Sequence, residues 1–314
     1  MGSAESSEEA PPEDKVVADS DGVVQVDETA AQFLALPTAQ QVWAHAVSSR
    51  AMLDEALGND KITAIEADIL MGSTPGSKDQ VPTPIMAHPP DRVSDLPFQE
   101  FLEACIENGR CHIKLDFKEI EAAEACLPLV AASASRLFKN GQAVMLNADV
   151  LPGPGRRDRC SPVPADAFFN HALAHCPGAP LSLGWSVFAP ACGLGYREVD
   201  CSAMAAAYQL YLDRIGVPAG GVVFAASLRL AAKSSGPLLR LLGEVPQSQL
   251  LLWTGRGEPP VPSWTVRKLT AAFEEAGLSE RVGFDCQVAD SVAEAFKAEF
   301  KCRLGGALNC MGWM

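Results

Sequence analysis

The chain has 314 residues, and 39 acidic against 25 basic side chains give it a formal net charge of −14. Such an acidic surface repels phosphate backbones, so general nucleic-acid binding is excluded. With 48% hydrophobic and 20% charged residues, the composition is that of a soluble globular chain able to bury one large core, and no apolar run reaches the ~18 residues of a membrane span.

The charge is concentrated at the start. Residues 1–41 hold nine acids and one base, Lys15. The opening MGSAESSEEAPPEDK has neither periodicity nor the apolar stretch of a secretory leader, so residues 1–37 are expected to be a disordered acidic tail. Without a leader, the expected location is cytoplasmic. Gly2 and Ser6 fit the myristoylation pattern M-G-x-x-x-[ST], but one acyl chain anchors weakly and no polybasic signal supports it. The ten cysteines form no C-x-x-C pair and mostly sit in apolar stretches such as FLEACI and AEACLPLV, as buried reduced thiols do.

In chain order the pattern predicts a strand over 42–47, a helix over 49–57, a strand over 62–70 and a helix over 97–108. It continues with a strand over 111–117, a helix over 119–138, a strand over 142–149 and a helix over 165–175. Strands over 181–186, 221–227, 249–254 and 281–286 alternate with helices over 202–215, 229–243, 264–277 and 289–299. Eight strands, each followed by a helix, make a single (β/α)8 TIM barrel over residues 38–300, with 301–314 a C-terminal extension. An open doubly wound sheet is the alternative.

Strand alternation places residues i and i+2 on one face. Glu66 and Asp68 in EADIL therefore point the same way, as do Lys114, Asp116 and Lys118 in KLDFK and Asn147 and Asp149 in LNADV. All lie late in their strands, which in a barrel is the C-terminal mouth where active sites are built. His45 ends WAHAV and His88 sits in PIMAHPP, so two of the five histidines bracket the carboxylates. Glu66, Asp68 and Asp116 offer only oxygen, a donor set for Mg2+ or Ca2+ and not for zinc. A solvated mouth without an ion is the plainer account. Lys118 is placed to neutralise a phosphate beside such an ion.

Other motifs carry less. His171 and His175 have H-x-x-x-H spacing, but Ala172 stands where a zinc protease has its glutamate. Arg156, Arg157 and Arg159 crowd one loop, either to meet an anion or as a solvated turn. The GLG at 193–195 and GRG at 255–257 lack a dinucleotide fingerprint, and no G-x-S-x-G elbow is present.

The strings WAHAV, EALGNDKITAIEADIL, PIMAHPP, IKLDFK, LNADVLPGP, LSLGW and LLLWTG, over about residues 40–287, resemble the menorin family. Its members carry a domain of the phospholipase-C-like phosphodiesterases, a TIM-barrel superfamily that includes glycerophosphodiester phosphodiesterases and sphingomyelinase-D-like toxins. The resemblance implies that His45 and His88 are the acid/base pair and that Glu66, Asp68 and Asp116 hold one Mg2+ or Ca2+. It also implies that Lys114, Lys118, Asn147, Trp185 and Trp253 contact substrate. Where glycerophosphodiesterases have His-Arg-Gly, this chain has His45-Ala46-Val47, which lacks the bidentate phosphate clamp of an arginine. Where they have His-Asp, it has His88-Pro89.

Two functions follow as expectations. One is a metal-dependent phosphodiesterase acting on a lysophospholipid or glycerophosphodiester, with a small phosphodiester or phospholipid headgroup as ligand. The other is a non-catalytic interaction module in a neuronal or cell-surface complex, with a protein partner there and an extracellular location.

Overall fold

The computed structural model describes residues 33–77, 81–154, 161–187, 194–215, 221–255 and 258–289. The leader through residue 32, the loop with Arg156, Arg157 and Arg159, nearly all of the helix expected over 289–299 and the extension over 301–314 lie outside the described residues. The barrel strands are β1 (Trp43–Ala44), β2 (Ala64–Gly72), β4 (His112–Phe117), β5 (Val144–Pro152), β6 (Leu181–Ser186), β7 (Val222–Ser227), β8 (Gln249–Trp253) and β10 (Val282–Asp285). They pair in parallel in that order. A further strand, β3 (Thr83–Met86), adds to β2 antiparallel, and β9 (Val261–Pro262) pairs with β11 (Val288–Ala289) outside the barrel.

Eight α-helices are present among the described residues: α1 (Arg50–Gly58), α2 (Phe98–Asn108), α3 (Ile120–Asn140), α4 (Ala165–His175), α5 (Glu198–Ile215), α6 (Leu228–Lys233), α7 (Gly236–Glu244) and α8 (Ser263–Glu275). The single helix expected over 229–243 is two, because Ser234, Ser235 and Pro237 interrupt it. Proline lacks an amide hydrogen and restricts the residue before it. The α2 and α3 helices stop at Gly109 and Gly141, whose φ of 69° and 73° favour glycine.

The sequence pattern is that of a barrel with two cores. Odd-numbered residues of β4 (Ile113, Leu115 and Phe117) are fully buried against the helices, together with Leu127, Val130 and Phe168. Inside the barrel a small apolar floor forms from Met145, Val223, Leu251, Ala143 and Leu36. Leu36 is completely buried there. Its burial adds roughly 1.5–3 kcal/mol.

The barrel is nearly closed. Among the described residues, β1 and β10 share no ladder; the segment just before β1 packs against β8 and β10. Thr38 donates its backbone N–H and its hydroxyl to Gln249 Oε1 at 2.8 and 3.0 Å, and Gln249 Nε2 donates to the Leu36 carbonyl at 3.0 Å. A Cβ on Gly283 would collide with the Thr38 backbone, so glycine allows this close approach. The expected strand over 42–47 is correspondingly short. It stops at Ala44 because Ala46 turns to a φ of 54°, which sends its N–H 2.7 Å from Glu66 Oε2. A non-glycine residue there costs of order 1–3 kcal/mol, offset by that charged hydrogen bond.

Candidate functional site

Strand alternation carries the polar residues into the barrel above the apolar floor. The register pairs Glu66 with Lys114, Asp68 with Asp116 and Asp116 with Asn147, so neighbouring strands bring them to one level. The antiparallel β3 delivers His88, since Ala87 N donates to the Asp68 carbonyl at 3.0 Å. These residues line one cavity of about 120 Å3 together with His45, Lys118, Asp149, Val187, Ala225, Trp253 and Gly255.

Nine of the ten sequence-predicted site residues therefore meet at the mouth. Trp185 is the exception and a correction. It faces outward with Leu181 and Leu183, is fully buried against Tyr196 with ring centroids 5.0 Å apart, and donates its indole N–H to the Asp200 carbonyl at 3.1 Å. Alternation places it with the leucines of β6, so it is core. His171 and His175 stack on α4, 6.4 Å apart, away from the mouth.

Two acids complete the site beyond the predicted set. Asp285, late in β10, accepts from His45 Nδ1 at 2.8 Å and is 2% exposed. Asp149 lines the cavity from β5, and a Cβ on Gly184 of β6 would strike its Oδ1. The signal for both was present: each is an acid at an inward position late in its strand.

Electrostatics bind this set tightly. Lys118 Nζ lies 2.8 Å from Asp68 Oδ1 and 2.8 Å from Asp116 Oδ2, while the buried Lys114 Nζ lies 3.9 Å from Glu66 Oε1. His45 Nδ1 is also 3.3 Å from Glu66 Oε2. Burial pushes Glu66 up to about 7, with Asp68 and Asp116 adding to the shift and His45 and Lys114 opposing it. Burial likewise raises Asp149 to about 6 against the pull of Lys118. For His45, burial works against the imidazolium, yet Glu66 and Asp285 outweigh it and raise the ring to about 9. Asp116 moves the other way. Burial favours its neutral form, but Lys118 and Lys114 hold it below the usual carboxylate range.

Raised pKa values set a sign for stability. Each of Glu66, Asp149 and His45 contributes stability below its unfolded pKa and loses it as pH rises through the folded value. In chelator, the unfolding midpoint should therefore fall between about pH 5 and about pH 9, the window of the shifts to about 6, 7 and 9. Glu66→Gln, which cannot titrate, should flatten the lower half of that slope. A midpoint that climbs with pH over this range would contradict the assignment.

The cluster fits a hard cation. One oxygen from each of Glu66, Asp68 and Asp116 lies within 4.8 Å of the others. Asp116 Oδ1 is buried with no hydrogen-bond partner, whereas its Oδ2 takes Lys118. A buried carboxylate oxygen with no hydrogen-bond partner, beside two further acids, is a donor set that suits an oxygen-seeking divalent ion. His45, Glu66 and Asp285 form a second group of the same tightness, so Glu66 is shared.

A model of the Menorin N-terminal domain matches residues 38–283. The chain belongs to the menorin family. Protein FAM151B of Homo sapiens is 31% identical over 283 residues, covering 88% of this chain and 91% of that protein. Among solved structures, a glycerophosphodiester phosphodiesterase from Parabacteroides distasonis aligns over 83% of this chain and 97% of its own, with 11% identity and a TM-score of 0.42. ObcA aligns over 83% and 62%, with 9% identity and a TM-score of 0.39.

The cytoplasmic location expected from the tail is set aside, since the chain's kinship with FAM151B does not support it. The composition of a chain's first residues was a weak guide to compartment. Among the described residues no helix is long and apolar enough to cross a membrane. Of the six described cysteines, all free, five are buried and Cys286 is half-buried.

Proposed function

We propose that this menorin-family chain is an extracellular interaction module for a partner at the neuronal or other cell surface. Its barrel mouth serves as a cation-dependent binding site for a phosphate ester and not as a centre of rapid turnover. One observation carries this reading: Lys118, the side chain placed to receive a phosphate, bridges Asp68 and Asp116 at 2.8 Å each. Its charge is spent on the chain's own carboxylates, and Ala46 supplies no guanidinium in its place.

The second reading, a metal-dependent phosphodiesterase, is favoured by the orphaned Asp116 Oδ1. Glu66, Asp68 and Asp116 would hold one Mg2+ or Ca2+, which when bound supplies positive charge to non-bridging phosphoryl oxygens. In that reading His45, its Nδ1 held by Asp285, presents Nε2 to the mouth for proton transfer, and His88 serves the opposite side of the phosphorus. Lys114 and Asn147 position the ester, and Trp253 forms one wall.

Two measurements on the full chain separate the readings. Fluorescently labelled protein should bind neuronal cells saturably, and protease treatment of those cells should abolish the binding. Incubated with Mg2+ or Ca2+ and a panel of glycerophosphodiesters and lysophospholipids, it should yield no product by phosphorus NMR. Turnover that His45→Ala and His88→Ala both remove would establish the phosphodiesterase and overturn the non-catalytic reading. Absence of saturable cell binding would overturn the interaction module.

A further inference from the structure

Lys114 and Lys118 leave the same face of one strand, yet they are held differently. Lys114 is sealed in the barrel at 2% exposure, with its Nζ 3.9 Å from Glu66 Oε1. Lys118 follows the last residue of β4, and its backbone N–H donates to the Ile69 carbonyl at 2.9 Å. Its side chain lines the mouth and is 20% exposed. The root is therefore fixed while a flexible four-carbon stem carries the charge.

That charge sits on a shared donor set. Lys118 Nζ is 2.8 Å from Asp68 Oδ1 and 2.8 Å from Asp116 Oδ2. Asp68 and Asp116 are two of the three acids whose oxygens gather within 4.8 Å. Lys118 is thus a tethered cation seated on the carboxylates that suit a divalent ion. Two cations drawn to the same oxygens repel each other, and a largely buried site screens that repulsion poorly. The unpaired Asp116 Oδ1 is an oxygen that the lysine does not use.

We infer that Lys118 and a divalent cation exchange on Asp68 and Asp116, and that the ammonium so released becomes the receptor for phosphate. The inference rests on the reading of the mouth as a cation-dependent phosphate-ester site, and it states how that dependence arises. In ion-free protein the charge of Lys118 is neutralised within the chain, and an entering anion meets Glu66, Asp68, Asp116 and Asp149. Once displaced, Lys118 needs a new counter-charge, which a phosphate oxygen supplies. Lys114, enclosed beside Glu66, has no such freedom to move. Linkage makes the coupling reciprocal, so phosphate raises ion affinity by the factor by which the ion raises phosphate affinity.

Calorimetric titration of the full chain with Mg2+ and with sn-glycerol 3-phosphate, each alone and in the presence of the other, tests this. In wild type each should tighten the other by about tenfold. Lys118→Met keeps the stem and removes the competitor, so it should bind Mg2+ about tenfold more tightly than wild type, and the mutual gain should vanish. A merely structural lysine predicts the reverse, a weaker Mg2+ site on its loss. Lysine acylation in wild type, read by peptide mass spectrometry, needs no variant and decides the case if Lys118→Met does not fold. Mg2+ should speed modification of Lys118 severalfold, glycerol phosphate should slow it again, and the exposed Lys61 should not respond. A Lys118→Met chain that binds Mg2+ no more tightly, or a Lys118 whose acylation ignores Mg2+, would overturn the exchange even where phosphate binds. Exchange seen with Mg2+ but no phosphate binding at saturating Mg2+ would instead overturn the receptor role and the phosphate-ester reading beneath it.

Discussion

Millimolar Mg2+ or Ca2+ should raise the unfolding midpoint of the wild-type chain, and Asp68→Asn should abolish that rise. Glu66, Asp68 and Asp116 bring three oxygens within 4.8 Å of one another, and the chain's own cations leave Asp116 Oδ1 unpaired. An ion that binds only the folded state stabilises it by RT ln(1 + [L]/Kd), about 2.7 kcal/mol at a hundredfold excess over Kd. In a domain of this size that corresponds to roughly 5 °C or more. Asp68→Asn keeps the side-chain shape while removing one ligand charge. It also removes one of the two partners of Lys118, so the ion-free variant should lose about 1–3 kcal/mol on its own account. Simple repulsion among the carboxylates suggests the reverse, a variant as stable as wild type. The lysine between them changes the sign. The decisive reading is the cation-induced shift, measured for each protein with and without chelator. A wild-type midpoint indifferent to both ions would make these acids structural.

Gly184→Ala should destabilise the barrel by displacing Asp149. The added Cβ would overlap Asp149 Oδ1, so the carboxylate would have to leave the position it holds in the mouth. Overpacking of this kind costs typically about 1–3 kcal/mol. Here it also forces a charged group away from Lys118. Asp149→Ala clears the space, so Gly184→Ala in that background should cost far less than it does alone. Denaturant unfolding of the two single variants and the double variant measures this coupling. Additive losses would show that Asp149 does not occupy the space beside Gly184.

Much of the site was legible because strand alternation is a local code. Glu66 with Asp68, Lys114 with Asp116, and Asn147 with Asp149 each share an inward face for that reason, and the structure gathers them around one cavity. The same rule applied to LSLGW puts Trp185 with Leu181 and Leu183 on the outward face. Likeness of the string to the family, weighed above its alternation, made it a substrate contact, and the buried indole shows the cost of that choice. Asp285 was written in the same code within RVGFDC, but one acid in a short strand carries no pair to mark it.

By itself the sequence determined the order of strands and helices, the barrel they make and the acid-rich character of its mouth. Those depend on residue spacing along each strand, which no distant contact alters. Only the tertiary structure decided which charge meets which. Lys118 settles between Asp68 and Asp116, and Asp285 reaches His45 across 240 positions of chain to span a seam that no ladder closes. The two strands that start and end the barrel are far apart along the chain, and their pairing is set by closure of the whole sheet. In that low-dielectric interior, proximity fixed by closure governs which groups hold protons, and no local pattern encodes it.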